Sequence, residues 1–509
     1  MKHRESLFQL IRSLNKNEKG YFKKFVSSYS STEKSNYIRL FDSIGKQEVY
    51  DERKIKKQFA HSNLSKNLSV AKNYLYNAIL KSLRSYYKED SVDAVVNDLL
   101  KDVGVLQKKA LYDHCGELLE KARLLALKHE KHLLLLEIHS QQFKLERLGL
   151  KEKKFSRESA VEKHREETRI LDQYKNILDY RLLMSKLITI DPGLTNQHKT
   201  TFDEIVQSPL LANDIIPLTY QAGTLYYSLQ SRIHNFYLYK LEKGYDLNKQ
   251  QIAFMESHGA MMKEDTNEYC TVLYSILLSQ LDLKKYDDFK SSLPKLKNFA
   301  CSSPDMEIRI FQRVVTVELM YFIQSVHLQE GLLYVESILK KLKKNEELLS
   351  KGYLLAIYDS ISLLYFYNKN YWRSLYYVNQ ILNSKADLLI DLKCFSHVFF
   401  MIIHYETGNI DEIERMHKKA EKFIKDNRGT GGFEWPVLKF METLPSIKSE
   451  LKLKEAFRQL KLETRKFTTS PQDKVILDFF DVSLWAQSKE EAVELSTLMR
   501  AKSSILFVQ

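Results

Sequence analysis

Histidines, cysteines and acids are the side chains that could do chemistry in this 509-residue chain, and their spacing decides whether they can act together. In "HEKH", His129 and His132 are three apart with the acid between them. The zinc-protease pattern HExxH instead sets its two rings at i and i+4, on one face of a helix. His139 lies seven residues beyond His132 and nearly on the same face, so a three-ring ligand cluster is conceivable, but no Asp or Cys at a matching spacing completes its shell. His397 and His404 are also seven apart and sit where repeat positions are packed. Solvated or core histidines are the better reading of all five. Cys115 follows His114 directly, and neighbours on a helix point about 100° apart, so they form no nucleophile–base dyad. The acid pairs Glu166–Glu167 and Asp287–Asp288 lie in mixed-charge runs of the kind that mark solvent faces. The loop "RGTGG", Arg428 to Gly432, lacks the spacing GxxxxGK[ST] and follows a helical pattern instead of a strand. No GxSxG elbow, kinase motif set or zinc-deaminase signature occurs. The expectation is a protein that is not an enzyme and uses neither metal nor cofactor.

The sharpest chemical signal is a surface. Over a helix from Asn63 to Lys88, Leu64, Leu68, Ala71, Leu75, Ala78 and Ile79 form one stripe, and Asn63, Lys66, Asn73, Asn77, Lys81, Arg84 and Lys88 lie opposite. Asn, Lys and Arg are donors that read bases and hold phosphates, and no acid interrupts this face. The basic segment "ERKIKKQF", with Arg53, Lys54, Lys56 and Lys57, comes just before it. Residues 1–90 hold 19 Lys and Arg against 9 Asp and Glu, so they carry +10 of the chain's formal +13. Concentrated positive charge attracts polyanions, which makes nucleic acid a candidate partner of residues 53–88. A solvated amphipathic helix packed on its own core gives the same pattern, and no winged-helix or RNA-binding signature accompanies it.

What must position these residues is helical. The chain has only 15 Gly and 8 Pro for 509 residues, too few turn formers for a large sheet protein, while 44% hydrophobic and 28% charged residues suffice to bury a core. Apolar residues at three and four spacing mark helices over Ser6–Leu14, Asn17–Ser28, Ser35–Gly45, Asp51–Phe59 and Asn63–Tyr87, with Asn17 and Asp51 as expected N-caps. The segment "KEDSVD" is the first boundary. Long hairpins follow, with a core stripe through Leu118, Ala122, Leu125 and Ala126, then a very polar helix stopped by Asp191, Pro192 and Gly193. The expected organisation is a basic helical domain over 1–90, helical hairpins over 91–210, helical repeats over 211–445 and capping helices over 446–509. The longest apolar run, Val398–Ile403, is closed by His397 and His404 far short of the ~20 residues of a membrane span. The basic start is interrupted by Glu5 and is followed by no cleavage site, so it reads as a first helix. Four cysteines without a CxxC pair suit a reducing compartment, and the cytoplasm is the expected location.

Turns expected at Leu281–Tyr286, Val326–Gly331, Tyr367–Tyr371 and Glu406–Ile410 give a period near 40 residues. In "YDSISLLYFYNKNYWRSLYYVNQI", Tyr358 precedes Ile361, the small Ser362 and Tyr365; a polar turn follows, then Tyr371, the small Ser374, Val378 and Ile381. Gly223 before Tyr226, and Ala420 later on, repeat the small-residue device. This pattern resembles the tetratricopeptide repeat, in which a small residue on each helix lets the backbones approach while rings fill the gaps. The resemblance covers residues 100–445; the repeats exceed the roughly 34 residues of that motif and the late proline is missing. The N-terminal domain and "DKVILDFFDVSLWAQSKEE" resemble large helical-repeat proteins of bacteroidete-type bacteria, which implies no activity.

The fold class expected is therefore all-α: a right-handed α-solenoid of tetratricopeptide-like helix pairs behind a small N-terminal helical domain. The resemblance implies a scaffold or adaptor that binds a protein or peptide, with Tyr227, Tyr376 and Tyr377 as contacts where exposed. The alternative is a nucleic-acid-associated regulator acting through Lys66, Asn73, Asn77, Lys81, Arg84 and Lys88, with the repeats as sensor. Oligomeric state is not written in the sequence.

Overall fold

The computed structural model describes residues 6–27, 33–60, 67–87, 91–147, 157–190, 196–212, 216–301, 303–385, 389–469, 473 and 476–506. Among these every regular element is helical and no strand occurs. The chain divides into two compact units, Met1–Tyr174 and Lys175–Gln509.

In the first unit, α1 (Ser6–Ser13), α2 (Lys16–Ser27), α3 (Glu33–Gly45), α4 (Glu52–Gln58) and α5 (Leu68–Tyr86) close around Leu7, Ile11, Phe22, Leu40, Phe41, Ile44, Ile55, Leu75 and Ile79. Asp51 caps α4 as its position implies, its Oδ1 accepting from the amides of Arg53 at 2.9 Å and Lys54 at 3.2 Å. At α2 the cap is Asn15, where the sequence suggested Asn17. Asn15 Oδ1 accepts from the Glu18 amide (2.9 Å) and Glu18 Oε2 accepts from the Asn15 amide (2.6 Å). Such a reciprocal box needs an acid at the third helical position, which only Asn15 has. A second core follows, built by α6 (Val92–Gln107), α7 (Tyr112–Lys128), α8 (His132–Arg147) and the start of α9 (Arg157–Ile188). Ala122 and Ala126 are fully buried in it, while Leu118 and Leu125 pack at its edge. The boundary between the two units falls inside α9. The stop at 191–193 lies outside the described residues.

The second unit continues with α10 (Asn196–Val206), α11 (Tyr220–Arg232), α12 (Leu241–Ser257) and α13 (Gly259–Glu264). Four hairpins follow: α14 (Thr266–Asp282) with α15 (Tyr286–Lys297), α16 (Pro304–Gln324) with α17 (Leu328–Asn345), α18 (Lys351–Tyr367) with α19 (Tyr371–Leu382), and α20 (Ile390–Glu406) with α21 (Ile410–Arg428). The chain ends in α22 (Glu434–Thr443), α23 (Glu450–Arg465), α24 (Val482–Glu490) and α25 (Leu495–Leu506).

Each hairpin turns in the same way, at the places the sequence marked. Lys284, Val326, Lys369 and Gly408 have φ of 56°, 58°, 59° and 72°, at intervals of 42, 43 and 39 residues. The following amide closes a six-residue loop to the helix behind it: Lys285 to Gln280 O, His327 to Phe322 O, Asn370 to Tyr365 O and Asn409 to His404 O, at 2.8–2.9 Å. This left-handed stop ends one helix and reverses the chain, and three of the four positions hold it without glycine.

Leading helices also pack on one another, α14 on α16, α16 on α18 and α18 on α20. As a result α16, α18 and α20 are buried around nearly their whole circumference. Trailing helices bury one stripe, such as Ser374, Val378 and Ile381 on α19. Small residues make this possible. Ser362 and Ser374 are fully buried and meet, with Ser362 Oγ 2.9 Å from Ser374 O. A Cβ added at Gly223 would stand 2.4 Å from Phe254 Cζ, and one at Gly331 would stand 2.8 Å from both Phe322 Cβ and Leu364 Cδ2. Because Phe322 Cβ belongs to a helix that cannot swing aside, Gly331→Val is expected to cost about 1–3 kcal/mol, read as a lower urea midpoint for this unit at unchanged slope. An unmoved midpoint would mean that the helices have room to part.

The rings of residues 365–377 are mostly packing. Tyr365 is buried, Tyr377 stacks on it at 5.9 Å, and Phe366 meets Phe399 and Phe480 at 5.1 and 5.4 Å. Phe480 and Trp485 bring the C-terminal segment into the core shared with α18 and α20.

Candidate interaction surfaces

The buried stripe of α5, with Leu68, Ala71, Leu75 and Ile79 inside, turns Asn73, Asn77, Lys81 and Arg84 to solvent, all four exposed. Lys66 and Lys88 lie outside the described residues. The face also carries rings that helical arithmetic did not single out. Tyr74 is 58% exposed and packs at a tilt on Tyr37 with ring centroids 4.6 Å apart, and Tyr86 meets Tyr21 edge to face at 5.1 Å. Proteins that bind single-stranded nucleic acid combine basic side chains with exposed rings on which bases stack. On α4, Arg53, Lys54, Lys56 and Lys57 are exposed, but Lys56 pairs with Glu52 at 3.2 Å. Lys72, 2.9 Å away, and Lys56 together hold the Glu52 carboxyl below the usual range.

In the second unit the three proposed aromatic contacts separate. Tyr376 is 59% exposed. Tyr377 is half-buried between Tyr365 and Tyr358, with its hydroxyl pushed up to about 12 by burial. Tyr227 is half-buried against Phe254 and Tyr226. Only Tyr376 therefore presents its ring. Beside it, one turn earlier, stands Trp372, 82% exposed and on the side of α19 away from Ser374, Val378 and Ile381. The i, i+4 spacing of Trp372 and Tyr376 was the signal that could have found it. Trp372 borders a cleft of about 320 Å³ lined by Tyr371, Leu375, His404, Thr407, Gly408 and Asn409. His404 is 8% exposed, neither ring nitrogen has a hydrogen-bond partner, and burial lowers its pKa.

The chemistry-bearing candidates are held in structural roles. His132 is buried, packs 6.4 Å from Tyr174 and is pushed down by desolvation. His139, also buried, has Glu166 and Glu167 each 3.8 Å from one of its ring nitrogens. Those two acids are half-buried, a departure from the solvent face expected of them, because both face His139 of α8 and Glu166 also meets Arg123 of α7 at 3.5 Å. Asp287 and Asp288 are exposed in the first turn of α15. Among the described residues no group of three His, Cys, Asp or Glu side chains is arranged to hold a metal ion. Arg428 of "RGTGG" is committed to Glu434 at 2.7 Å, Asp473 at 2.8 Å and Asp391 at 3.5 Å, so its charge is already answered by carboxylates. Burial raises the thiols of Cys270 to about 11 and Cys394 to about 12, which keeps them protonated and unreactive. No helix among the described residues is long and apolar enough to cross a membrane. No protein-family model matches this chain, and neither a curated protein nor a solved structure matches it.

Proposed function

We propose that this chain is a non-enzymatic interaction scaffold of the cytoplasm, a right-handed α-solenoid of tetratricopeptide-like helix pairs that captures a protein or peptide through its second unit. The observation that carries this reading is the exposure of Trp372 and Tyr376, two large rings one turn apart on a helix whose other side is packed, with Trp372 bordering the His404 cleft. Tryptophan and tyrosine are the side chains that most often dominate binding energy, and a Trp left in water on a packed scaffold needs a use. The expected result is that Trp372→Ala with Tyr376→Ala weakens capture of the partner from native cells about tenfold or more, with nuclease present and the thermal midpoint unchanged. Equal capture by the double variant would remove this face from the reading.

A second reading is favoured by the α5 face. There Asn73, Asn77, Lys81 and Arg84 are exposed together with Tyr74 and Tyr86, as a nucleic-acid contact through the first unit would require. Under it, Lys81→Glu with Arg84→Glu abolishes nucleic-acid binding and the wild-type affinity falls steeply as salt rises. Binding that is insensitive to both would leave α5 as a solvated helix.

A further inference from the structure

The exposed side of α5 is bordered by rings from its neighbours. Tyr74 keeps more than half of its surface in water while resting at a tilt on Tyr37 of α3. One turn before it, Val70 is 68% exposed. Toward the other end of the helix, Ser85 Oγ lies 3.0 Å from Tyr21 Oη of α2, and Tyr21 in turn stacks on Phe25 with centroids 6.3 Å apart. Adjacent to Val70, Tyr74 and Ser85 in helical angle run Asn73, Asn77, Lys81 and Arg84, all exposed. From Leu68 to Tyr86 the helix contains no Asp or Glu, so no carboxylate of its own opposes an anion there. At ~1.5 Å per residue the row from Asn73 to Arg84 is about 16 Å long, the length of about five nucleotides at a stacked spacing of ~3.4 Å.

Charge alone does not choose between a duplex and a single strand, because both carry phosphates. The rings make the choice. In a duplex each base is stacked on both faces by its neighbours and offers a protein only its edge in a groove. In a single strand the base faces are open, and a ring that already rests on Tyr37 extends that pair by one base. The surroundings of α5 point the same way. A major groove is about 12 Å wide and a helix with its side chains about 10–12 Å across, so a helix that reads the groove must stand clear of its neighbours. Here α3 and α2 touch Tyr74 and Ser85, two exposed residues of α5, and so rise to the level of the face that would have to enter.

We propose that α5 binds single-stranded nucleic acid, with phosphates along Asn73, Asn77, Lys81 and Arg84 and a base stacked on Tyr74. This rests on the nucleic-acid reading of the first unit and adds to it the strand state and the stacking residue. Because every base has a face to stack, binding through Tyr74 is expected to tolerate changes of sequence.

The test uses the full chain and fluorescence anisotropy with labelled DNA and RNA strands of about ten nucleotides and mixed sequence, beside the duplex of the same sequence at the same salt. The single strand is expected to bind about tenfold or more tighter than the duplex. Tyr74→Ala should weaken the single strand about 5- to 100-fold, while Tyr74→Phe, which keeps the ring, binds like wild type. A strand of the same length built from abasic nucleotides has the phosphates without the bases. On the unaltered protein it is expected to lose at least as much affinity as Tyr74→Ala costs, a result that no folding defect of a variant can imitate. The proposal is overturned if the duplex binds as tightly as the single strand, or if Tyr74→Ala and the abasic strand both leave affinity unchanged. Loss of that binding in Lys81→Glu with Arg84→Glu would then keep the nucleic-acid reading alive as a contact to phosphates alone. If neither strand nor duplex binds, that reading falls and the proposal falls with it.

Discussion

Trp485→Ala is expected to remove about 3–5 kcal/mol from the unit of Lys175–Gln509, the largest effect of any single truncation considered for this chain. The side chain is 1% exposed and meets Tyr405, Phe440 and Phe457 edge to face, with ring centroids 5.8, 6.3 and 5.5 Å away. Edge-to-face packing adds to burial because the positive rim of one ring points at the negative face of another. The indole also has a polar duty. Its Nε1 donates to Glu406 Oε1 at 2.7 Å, and Glu406 Oε2 accepts from Lys489 at 2.6 Å. Trp485→Phe keeps most of the packing and loses only that bond, so it is expected to cost about 1–2 kcal/mol. Urea unfolding checks both: the transition of this unit moves to lower midpoint, further for Ala than for Phe, while that of the first unit stays in place. Equal losses in the two variants would show that the hydrogen bond, and not the ring cluster, is what Trp485 contributes.

Acid is the second large lever. His397 is 5% exposed, lies 4.9 Å from the Phe423 ring, and is lowered to about 4 by burial and by the ammonium groups of Lys419 and Lys393. Unfolding releases it to its ordinary value near 6.5. Between those two values the unfolded chain binds the proton and the folded one does not. Stability from this group is therefore complete above about pH 6.5, falls as the pH drops toward 4, and is constant below that. The loss amounts to about 3 kcal/mol across the window. Other groups act in the opposite sense: burial raises the carboxyls of Asp359 and Glu434 to about 7, so they favour the folded state as the pH falls. The clean readout is a difference. His397→Phe fills the same space beside Phe423 and cannot titrate, so the gap between variant and wild-type stability should widen in the variant's favour from pH 6.5 to 4. A gap that stays constant would mean that His397 is protonated in the folded chain at these pH values.

Much of the architecture could be read from local pattern. Scarce Gly and Pro implied helices, the three–four spacing of Leu68, Leu75 and Ile79 gave the buried side of α5, and the polar breaks near Lys284, Val326, Lys369 and Gly408 located the turns. Ser362 and Ser374 were legible as close-approach positions, since a small residue amid rings has no other use in a helix pair. The cap of α2 was read two residues late because the run "NKNEKG" offers two asparagines, and only the position of Glu18 distinguishes them.

What the sequence determined alone is what depends on neighbours along the chain: helix positions, turn positions, and the buried stripe of a helix such as α5. The tertiary structure decided what depends on neighbours across it. His139 meets Glu166 and Glu167, Tyr377 is spent on Tyr365 while Tyr376 and Trp372 face outward, and Arg313 lies against Asn267 and Thr271, more than 40 residues away in the chain. The physical reason is that a helix fixes the direction of each side chain relative to its own axis every 3.6 residues, whereas the partner it meets is set by which other helix packs there. In α16, α18 and α20, buried on nearly every side, periodicity carries no information about which face could bind, because no face is left to water.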